Sequence, residues 1–158
     1  MPIRLRHNAA LEVSRVEYFG AMAISDLEAN AAFNAANPEY LGYDCLSIIR
    51  ADIDVAGLSL SDLESILNTH HTLFEPLDLM ILRRSAWICE NAPAQRLLTH
   101  WFATREQKRS THAVLRQFET HDDVAEWFLL DADGARQLRS GEGFTEIATF
   151  GVSGALSR

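Results

Sequence analysis

Arg83, Arg84 and Trp87 lie close together in one short segment, RRSAW. The apolar run before it, residues 77–82, predicts a strand that is covered on both faces. The segment then follows at the carboxyl edge of the sheet, where open α/β sheets bind ligands. Guanidinium groups bind carboxylates or phosphates, and an indole stacks on flat groups. The alternative interpretation, which we favour, is structural: Trp87 closes the core and the arginines pair with nearby acids.

A second set of candidate residues could bind a metal. Asp52, Asp54 and Asp62 lie in one loop without a basic residue, and carboxylates of this kind bind hard cations. Their spacing is not that of an EF-hand, so we expect a solvated loop. Among the six histidines and the two cysteines, Cys45 and Cys89, no ligand pair occurs at i,i+3 or i,i+4. The sequence therefore predicts no metal site.

Motifs for catalysis and for cofactor binding are missing from the sequence. It contains no GxGxxG, GxSxG or HExxH motif. The single lysine, Lys108, lies in a polar run and not after a phosphate-binding loop or in an apolar pocket. We therefore expect a protein that is not an enzyme and that binds no cofactor.

The composition is that of a globular domain. The chain has 158 residues, of which 47% are hydrophobic and 23% are charged, and its formal net charge is −8. This negative charge argues against a domain that binds nucleic acid. No apolar run is long enough to span a membrane, and the first residues lack the pattern of a signal peptide. Two isolated cysteines fit a reducing compartment, so we expect a cytoplasmic protein.

Strand and helix signals alternate along the chain. A hairpin opens it, with a second strand over residues 11–19 whose alternation is interrupted at Ser14 and Arg15, for which a bulge is one explanation. Capping boxes at Ser25 and Ser61 predict two helices. Asn91 or a neighbouring residue begins a third helix, Thr120 begins a fourth, and strands fall between them. The order β-β-α-β-α-β-α-β-α predicts a single α/β domain over residues 1–130, with a mixed, mostly parallel sheet. Residues 131–158 hold five of the eight glycines and are expected to form a tail or a docking arm.

This order resembles the STAS superfamily of sulfate-transporter and anti-sigma-factor-antagonist domains, and in particular bacterial STAS/SEC14-like proteins without an assigned activity. The resemblance covers residues 3–130. It rests on Gly20, Ser25-Asp26-Leu27, Asp52, Ile66, Leu67, the strand at 79–82 and Ala125-Glu126-Trp127.

The resemblance implies a phosphorylation switch before the helix that follows the third strand. In this sequence Val55 and Ala56 stand where the family has hydroxyl side chains, so we expect no switch at that position. Ser59 and Ser61 remain as displaced candidate acceptors, but Ser61 is expected to serve as a helix cap.

The leading functional hypothesis is a non-enzymatic module that binds a protein partner or a second copy of itself. Self-association is favoured by charge, because residues 39–78 hold eight acids and one base whereas residues 83–116 hold seven bases and two acids. The alternative is a carrier or sensor of an anionic or apolar small molecule, bound between helices and sheet as in the SEC14-like relatives. Five aromatic residues could line such a pocket or simply fill the core: Trp87, Trp101, Phe102, Trp127 and Phe128. An enzyme of unknown type is the third possibility.

Overall fold

Six β-strands form one mixed sheet in the computed structural model, which describes residues 2–77, 83–107 and 113–151, with the backbone alone at 106 and 107. The strands are β1 (Ile3–Asn8), β2 (Val13–Tyr18), β3 (Asp44–Ile49), β4 (Arg83–Cys89), β5 (Ala113–Phe118) and β6 (Thr145–Phe150). Their order across the sheet is β5-β4-β3-β2-β1-β6. Strands β2 to β5 are parallel, and β1 is antiparallel to both of its neighbours. The predicted α/β class with an opening hairpin is confirmed.

Five α-helices cover the sheet in the described residues, one more than predicted. They are α1 (Ile24–Ala36), α2 (Leu60–Phe74), α3 (Ala92–Gln107), α4 (His121–Trp127) and α5 (Ala132–Ser140). Helices α1, α2 and α3 join parallel strands that step in one direction, so they pack on the same face, which we call the front face. Helices α4 and α5 pack on the back face, where Val124 and Leu138 join the core residues Leu46 and Ile48.

Helices α1 and α2 both begin earlier than predicted. The Asp26 carboxylate accepts a hydrogen bond from the Ala23 N–H (2.8 Å), and the Asp62 carboxylate accepts one from the Ser59 N–H (2.7 Å). The Ser59 hydroxyl in turn accepts from the Asp62 N–H (3.2 Å), which makes Ser59 the N-cap of α2. The prediction that Ser61 caps this helix is wrong. The capping box begins two residues earlier, at Ser59, and an aspartate at the third helical position has the role that a glutamate usually has.

Strand β4 begins at Arg83, where the sequence analysis placed the end of a strand. Leu77 belongs to a short 3-10 turn, and residues 78–82, which include the 79–82 segment of the STAS resemblance, lie outside the described residues. Alternation along β4 directs Arg83 and Trp87 to the front face and Arg84 to the back face. The predicted position at the carboxyl edge is wrong for both arginines, which lie at the amino end of the strand.

The chain between residues 132 and 150, expected to belong to a tail or docking arm, forms α5 and β6. Strand β6 pairs with β1, where Ile3 lies opposite Phe150. The glycines in this region occupy turns: Gly141 (φ 78°) ends α5 and Gly143 (φ 79°) leads into β6. Glycine adopts this left-handed conformation without strain, so the high glycine content here marks tight turns. Residues 152–158 lie outside the described residues.

A buried ion pair on the back face links β2 to α5. Arg15 and Glu17 are 5% and 6% exposed, and the Arg15 Nε lies 3.3 Å from a Glu17 carboxylate oxygen. Arg6 Nη2 lies 2.6 Å from the same oxygen, and Arg15 Nη1 donates to the Leu138 carbonyl in the last turn of α5 (2.8 Å). No bulge occurs near Ser14 and Arg15, because β1 and β2 pair in one continuous register.

Candidate ligand-binding cavity

A cavity of about 170 Å³ lies between the front face of the sheet and helices α1, α2 and α3. Its floor contains four small side chains at positions where a sheet core usually has larger apolar ones: Ser14, Cys45, Ser47 and Ser85. Ser14, Cys45 and Ser85 lie side by side on β2, β3 and β4, and all four are buried. Because these side chains are short, the space beneath the helices is not filled.

The walls of the cavity are mainly apolar. Helix α2 contributes one side through the residues that its 3.6-residue period directs inward, and α3 contributes another. The apolar wall residues on these two helices are Leu63, Ile66, Phe74, Ala94, Leu97, Leu98 and Trp101. Trp87 on β4 completes the wall, and its ring stacks on Tyr18 with the centroids 5.8 Å apart. A ring-shaped or branched apolar group would therefore contact mainly hydrocarbon on these walls.

One hydroxyl in the floor has no partner. Ser14 is 3% exposed, and its Oγ makes no hydrogen bond with any described residue. By contrast, the Ser85 Oγ accepts a hydrogen bond from the Trp87 indole N–H (3.2 Å). A buried hydroxyl without a partner is unfavourable by about 1–3 kcal/mol, so Ser14 offers an unused hydrogen bond to whatever occupies the cavity.

The cysteine in the floor is not set up as a nucleophile. Burial raises the pKa of the Cys45 thiol, and the hydroxyl of Ser47 lies 3.9 Å from its sulfur. The thiolate is the reactive form of cysteine, and this environment disfavours it. Burial also raises the pKa of Tyr18, so this phenol stays protonated. The floor therefore offers neutral groups that can form hydrogen bonds.

Basic side chains line one part of the cavity. Arg83 at the start of β4, Arg105 on α3 and His70 on α2 all contribute to the lining. Arg105 Nη1 lies 3.3 Å from His70 Nδ1, and its guanidinium lies over the Trp101 ring at 5.4 Å. Burial and the charge of Arg83 lower the pKa of Arg105 to about 10, so it remains a cation at neutral pH. We call Arg83, Arg105 and His70 the basic end of the cavity.

The environment of His70 predicts a loss of stability in weak acid. Burial, with the charges of Arg105 and Arg83, lowers the pKa of His70 to about 3. The pKa of a histidine in an unfolded chain is about 6.5. Between these values the unfolded state binds the proton and the folded state does not, so stability falls as the pH falls from about 6.5 towards 3. Urea unfolding from pH 7 to 4.5 should show a steeper decline for the wild type than for His70→Gln, by up to about 1.4 kcal/mol per pH unit.

The exposed neighbour provides the control for this measurement. His71 lies next to His70 on α2, and its side chain is half exposed. His71→Gln should therefore follow the wild-type pH dependence. Parallel curves for the wild type and His70→Gln would contradict the prediction.

The structure separates the residues of the RRSAW segment. Arg83 and Trp87 line the cavity, whereas Arg84 forms an ion pair with Asp44 on the back face (2.8 Å). Arg84 also donates to the main-chain carbonyls of Trp127 and Phe128. Arg84 thus pairs with a nearby acid, as the structural interpretation expects, whereas Arg83 lies where a ligand in the cavity could contact it.

The acidic loop lies at the surface. Asp52, Asp54, Ser59 and Ser61 are exposed. The Asp54 carboxylate accepts a hydrogen bond from the main chain two residues later, and Ser59 is the α2 cap. Within residues 2–77, 83–107 and 113–151, no three His, Cys, Asp or Glu side chains converge as metal ligands would. The exposed hydroxyl of Ser61, which lies 3.0 Å from that of Ser59, has no capping role.

The five aromatic residues considered for a pocket lie on both sides of the sheet. Trp87 and Trp101 line the cavity, and Phe102 packs behind Trp87 with the ring centroids 6.2 Å apart. Trp127 and Phe128 belong to the core on the back face. Only part of this set can therefore contact a ligand.

The floor serines were not identified from the sequence as site residues. Each lies at a front-face position of a strand whose other front-face residues are mainly apolar. The signal in the sequence was therefore a polar residue at a position where the alternation predicts an apolar one. Ser14 is the clearest example. The alternation of β2 is interrupted there because Ser14 lines the cavity and the next residue, Arg15, belongs to the buried ion pair.

Comparisons with protein-family models, with curated proteins and with solved structures gave no significant match. Among the helices of the described residues, none combines the length and the apolar character that crossing a bilayer requires.

Proposed function

We propose that this chain is a non-enzymatic, STAS-like module of the cytosol that carries or senses a small molecule in the front-face cavity. The observation that carries the proposal is the cavity of about 170 Å³ together with the Ser14 hydroxyl in its floor, which has no partner among the described residues. Binding a ligand there would bury apolar surface and supply the missing hydrogen bond. The protonated Cys45 thiol supports binding over catalysis.

The size of the cavity limits the ligand to about one ring. Drug-sized ligands occupy pockets of about 300 Å³ or more, whereas a cavity of about 150 Å³ is known to hold benzene. The cavity of about 170 Å³ suits a ligand of the latter size and is too small for a phospholipid.

Two further features support the proposed class and location. The observed order of elements from β1 to α4 agrees with the order on which the STAS resemblance was based. Both cysteines are free thiols, which is typical of proteins in a reducing compartment.

The proposal is tested with neutral single-ring probes. Ligand-observed NMR and thermal shift with phenol, indole and toluene should show saturable binding to the wild type. Ser14→Leu places a larger side chain in the floor and should abolish it. Ser65→Leu, the same change on the exposed side of α2, should leave it intact. No saturable binding to the wild type, or equal binding by Ser14→Leu, would overturn the proposal.

Self-association is a second candidate function, favoured by the exposed edge of the sheet. In the described residues β5 pairs only with β4, and Val114 on β5 is 48% exposed. An unpaired edge strand of this kind can pair with the same strand of a second copy. Native mass spectrometry should then show a wild-type dimer that Val114→Lys disrupts and Leu129→Lys, at an exposed position after α4, preserves. A monomeric wild type at tens of micromolar would overturn this candidate.

A further inference from the structure

We propose that the ligand of the front-face cavity is a small carboxylic acid with an aromatic or branched apolar body, its carboxylate bound by Arg83 at the basic end. This inference rests on the proposed function and adds the chemical class of the ligand. The class follows from the two kinds of surface that line one cavity, apolar walls over most of it and cationic side chains in one part.

Arg83 is the residue placed to bind the anion. Its side chain lines the cavity from the first residue of β4, and among the described residues no carboxylate lies within ion-pair distance of its guanidinium. The neighbouring Arg84 differs, since it lies on the other face and is already paired with Asp44. A guanidinium fork matches the geometry of a carboxylate and binds it through two parallel hydrogen bonds.

The remaining groups at the basic end also favour an anionic ligand. His70 and Arg105 contact each other, and Arg105 also lies over Trp101. A cationic ligand would meet like charge from Arg83 and Arg105 in a partly desolvated site. A neutral ligand would leave the charge of Arg83 unused. An anion therefore gains most from this arrangement.

The ring of such an acid would lie over the floor. The volume of about 170 Å³ accommodates one ring with a short substituent, between Trp87 and the α2 side chains Ile66 and Phe74. The unpartnered Ser14 hydroxyl provides a hydrogen bond for a second polar substituent on the ring. The apolar walls favour a carboxylate over the more strongly hydrated dianion of a phosphate ester.

The test compares ligands of one shape and different charge. Isothermal titration of the wild type at pH 7.5 is carried out with benzoate, benzyl alcohol, benzylamine and phenyl phosphate. Benzoate should bind about 10- to 100-fold more tightly than benzyl alcohol, which reflects one charge-assisted interaction. Benzylamine should bind most weakly.

Variants then assign the preference to Arg83. Arg83→Met should remove the advantage of benzoate over benzyl alcohol while the affinity for the alcohol changes less than about twofold, and Arg83→Lys should restore part of it. Arg116→Met removes an exposed arginine on the back side of the neighbouring strand β5 and should leave both affinities unchanged.

The outcomes distinguish this inference from the proposed function. Equal binding of benzoate and benzyl alcohol to the wild type, or tighter binding of phenyl phosphate, would overturn the carboxylate inference while the cavity remains a binding site. A benzoate preference that persists in a folded Arg83→Met would overturn the role of Arg83. Failure of every probe to bind would overturn both proposals.

Discussion

Glu17→Gln should lower the free energy of unfolding by about 3–5 kcal/mol, although it replaces only one oxygen by an amide nitrogen. Glu17 is 6% exposed. It accepts a hydrogen bond from Arg6 and forms an ion pair with Arg15, so it holds the two guanidinium groups together on the back face. Without its charge, two guanidinium groups remain close together in a poorly solvated site. The change is measured by urea unfolding at pH 7.5 with circular dichroism.

The same substitution at the surface provides the control. Glu146 on β6 pairs with Arg4 at 3.4 Å, and both side chains are about half exposed. Exposed pairs contribute at most about 1 kcal/mol, so Glu146→Gln should be nearly neutral. Similar losses for the two variants would show that the back-face ion pair is not a buried one in solution.

Ser14→Val should raise the free energy of unfolding of the unliganded protein by about 1–2 kcal/mol. The substitution removes a buried hydroxyl that has no partner and adds methyl groups where space is free. Valine also suits the extended backbone of β2. A stability gain from this substitution would agree with a functional position that is not optimised for stability, for which the expected cost is a loss of binding.

The matched control lies in the same row of the floor. Ser85 is also buried, but its Oγ accepts the Trp87 indole N–H, so Ser85→Val leaves that donor unpaired and should lower stability by about 1 kcal/mol. Differential scanning calorimetry should therefore show melting temperatures that move in opposite directions. A loss of stability in Ser14→Val would indicate that its hydroxyl is satisfied in solution.

Local patterns in the sequence were sufficient to predict much of the fold. The strand Ala113–Phe118 was predicted with its observed bounds. Helix α3 was predicted to begin at Asn91 or a neighbour, and the Asn91 side chain accepts a hydrogen bond from the Ala94 N–H. Thr120 caps α4 through the Asp123 N–H, again as expected. These features depend on hydrogen bonds between residues close in the chain, so a few neighbouring residue types define them.

The errors arose where distant residues decide the structure. The turn glycines Gly141 and Gly143 suggested a tail because the partner of β6, at the other end of the chain, is not visible in the local sequence. Arg83 and Arg84 appeared to follow a strand because the apolar run at residues 77–82 precedes them. In the structure they begin β4, and each arginine lies on a different face of the sheet.

The cavity could not be predicted for the same reason. Ser14, Cys45 and Ser85 are far apart in the chain, and only the register of three strands brings them side by side. A single serine in a strand is common and has no specific meaning. The cavity also requires that Arg83 and His70, on different elements, line the same space.

The pairing of β1 with β6 also determines when the protein can complete its fold during synthesis. Strand β1 cannot pair with β6 until Phe150, which lies opposite Ile3, has been synthesised. The sheet therefore lacks one strand until nearly all of the described chain has left the ribosome. In that interval α5 is also missing, and Arg15 and Glu17 remain hydrated on an open sheet face. Hydration keeps their charges at little energetic cost and discourages a nascent chain from pairing through this face with its neighbours. The charged residues that later link β2 to α5 are therefore expected to reduce aggregation of the unfinished chain.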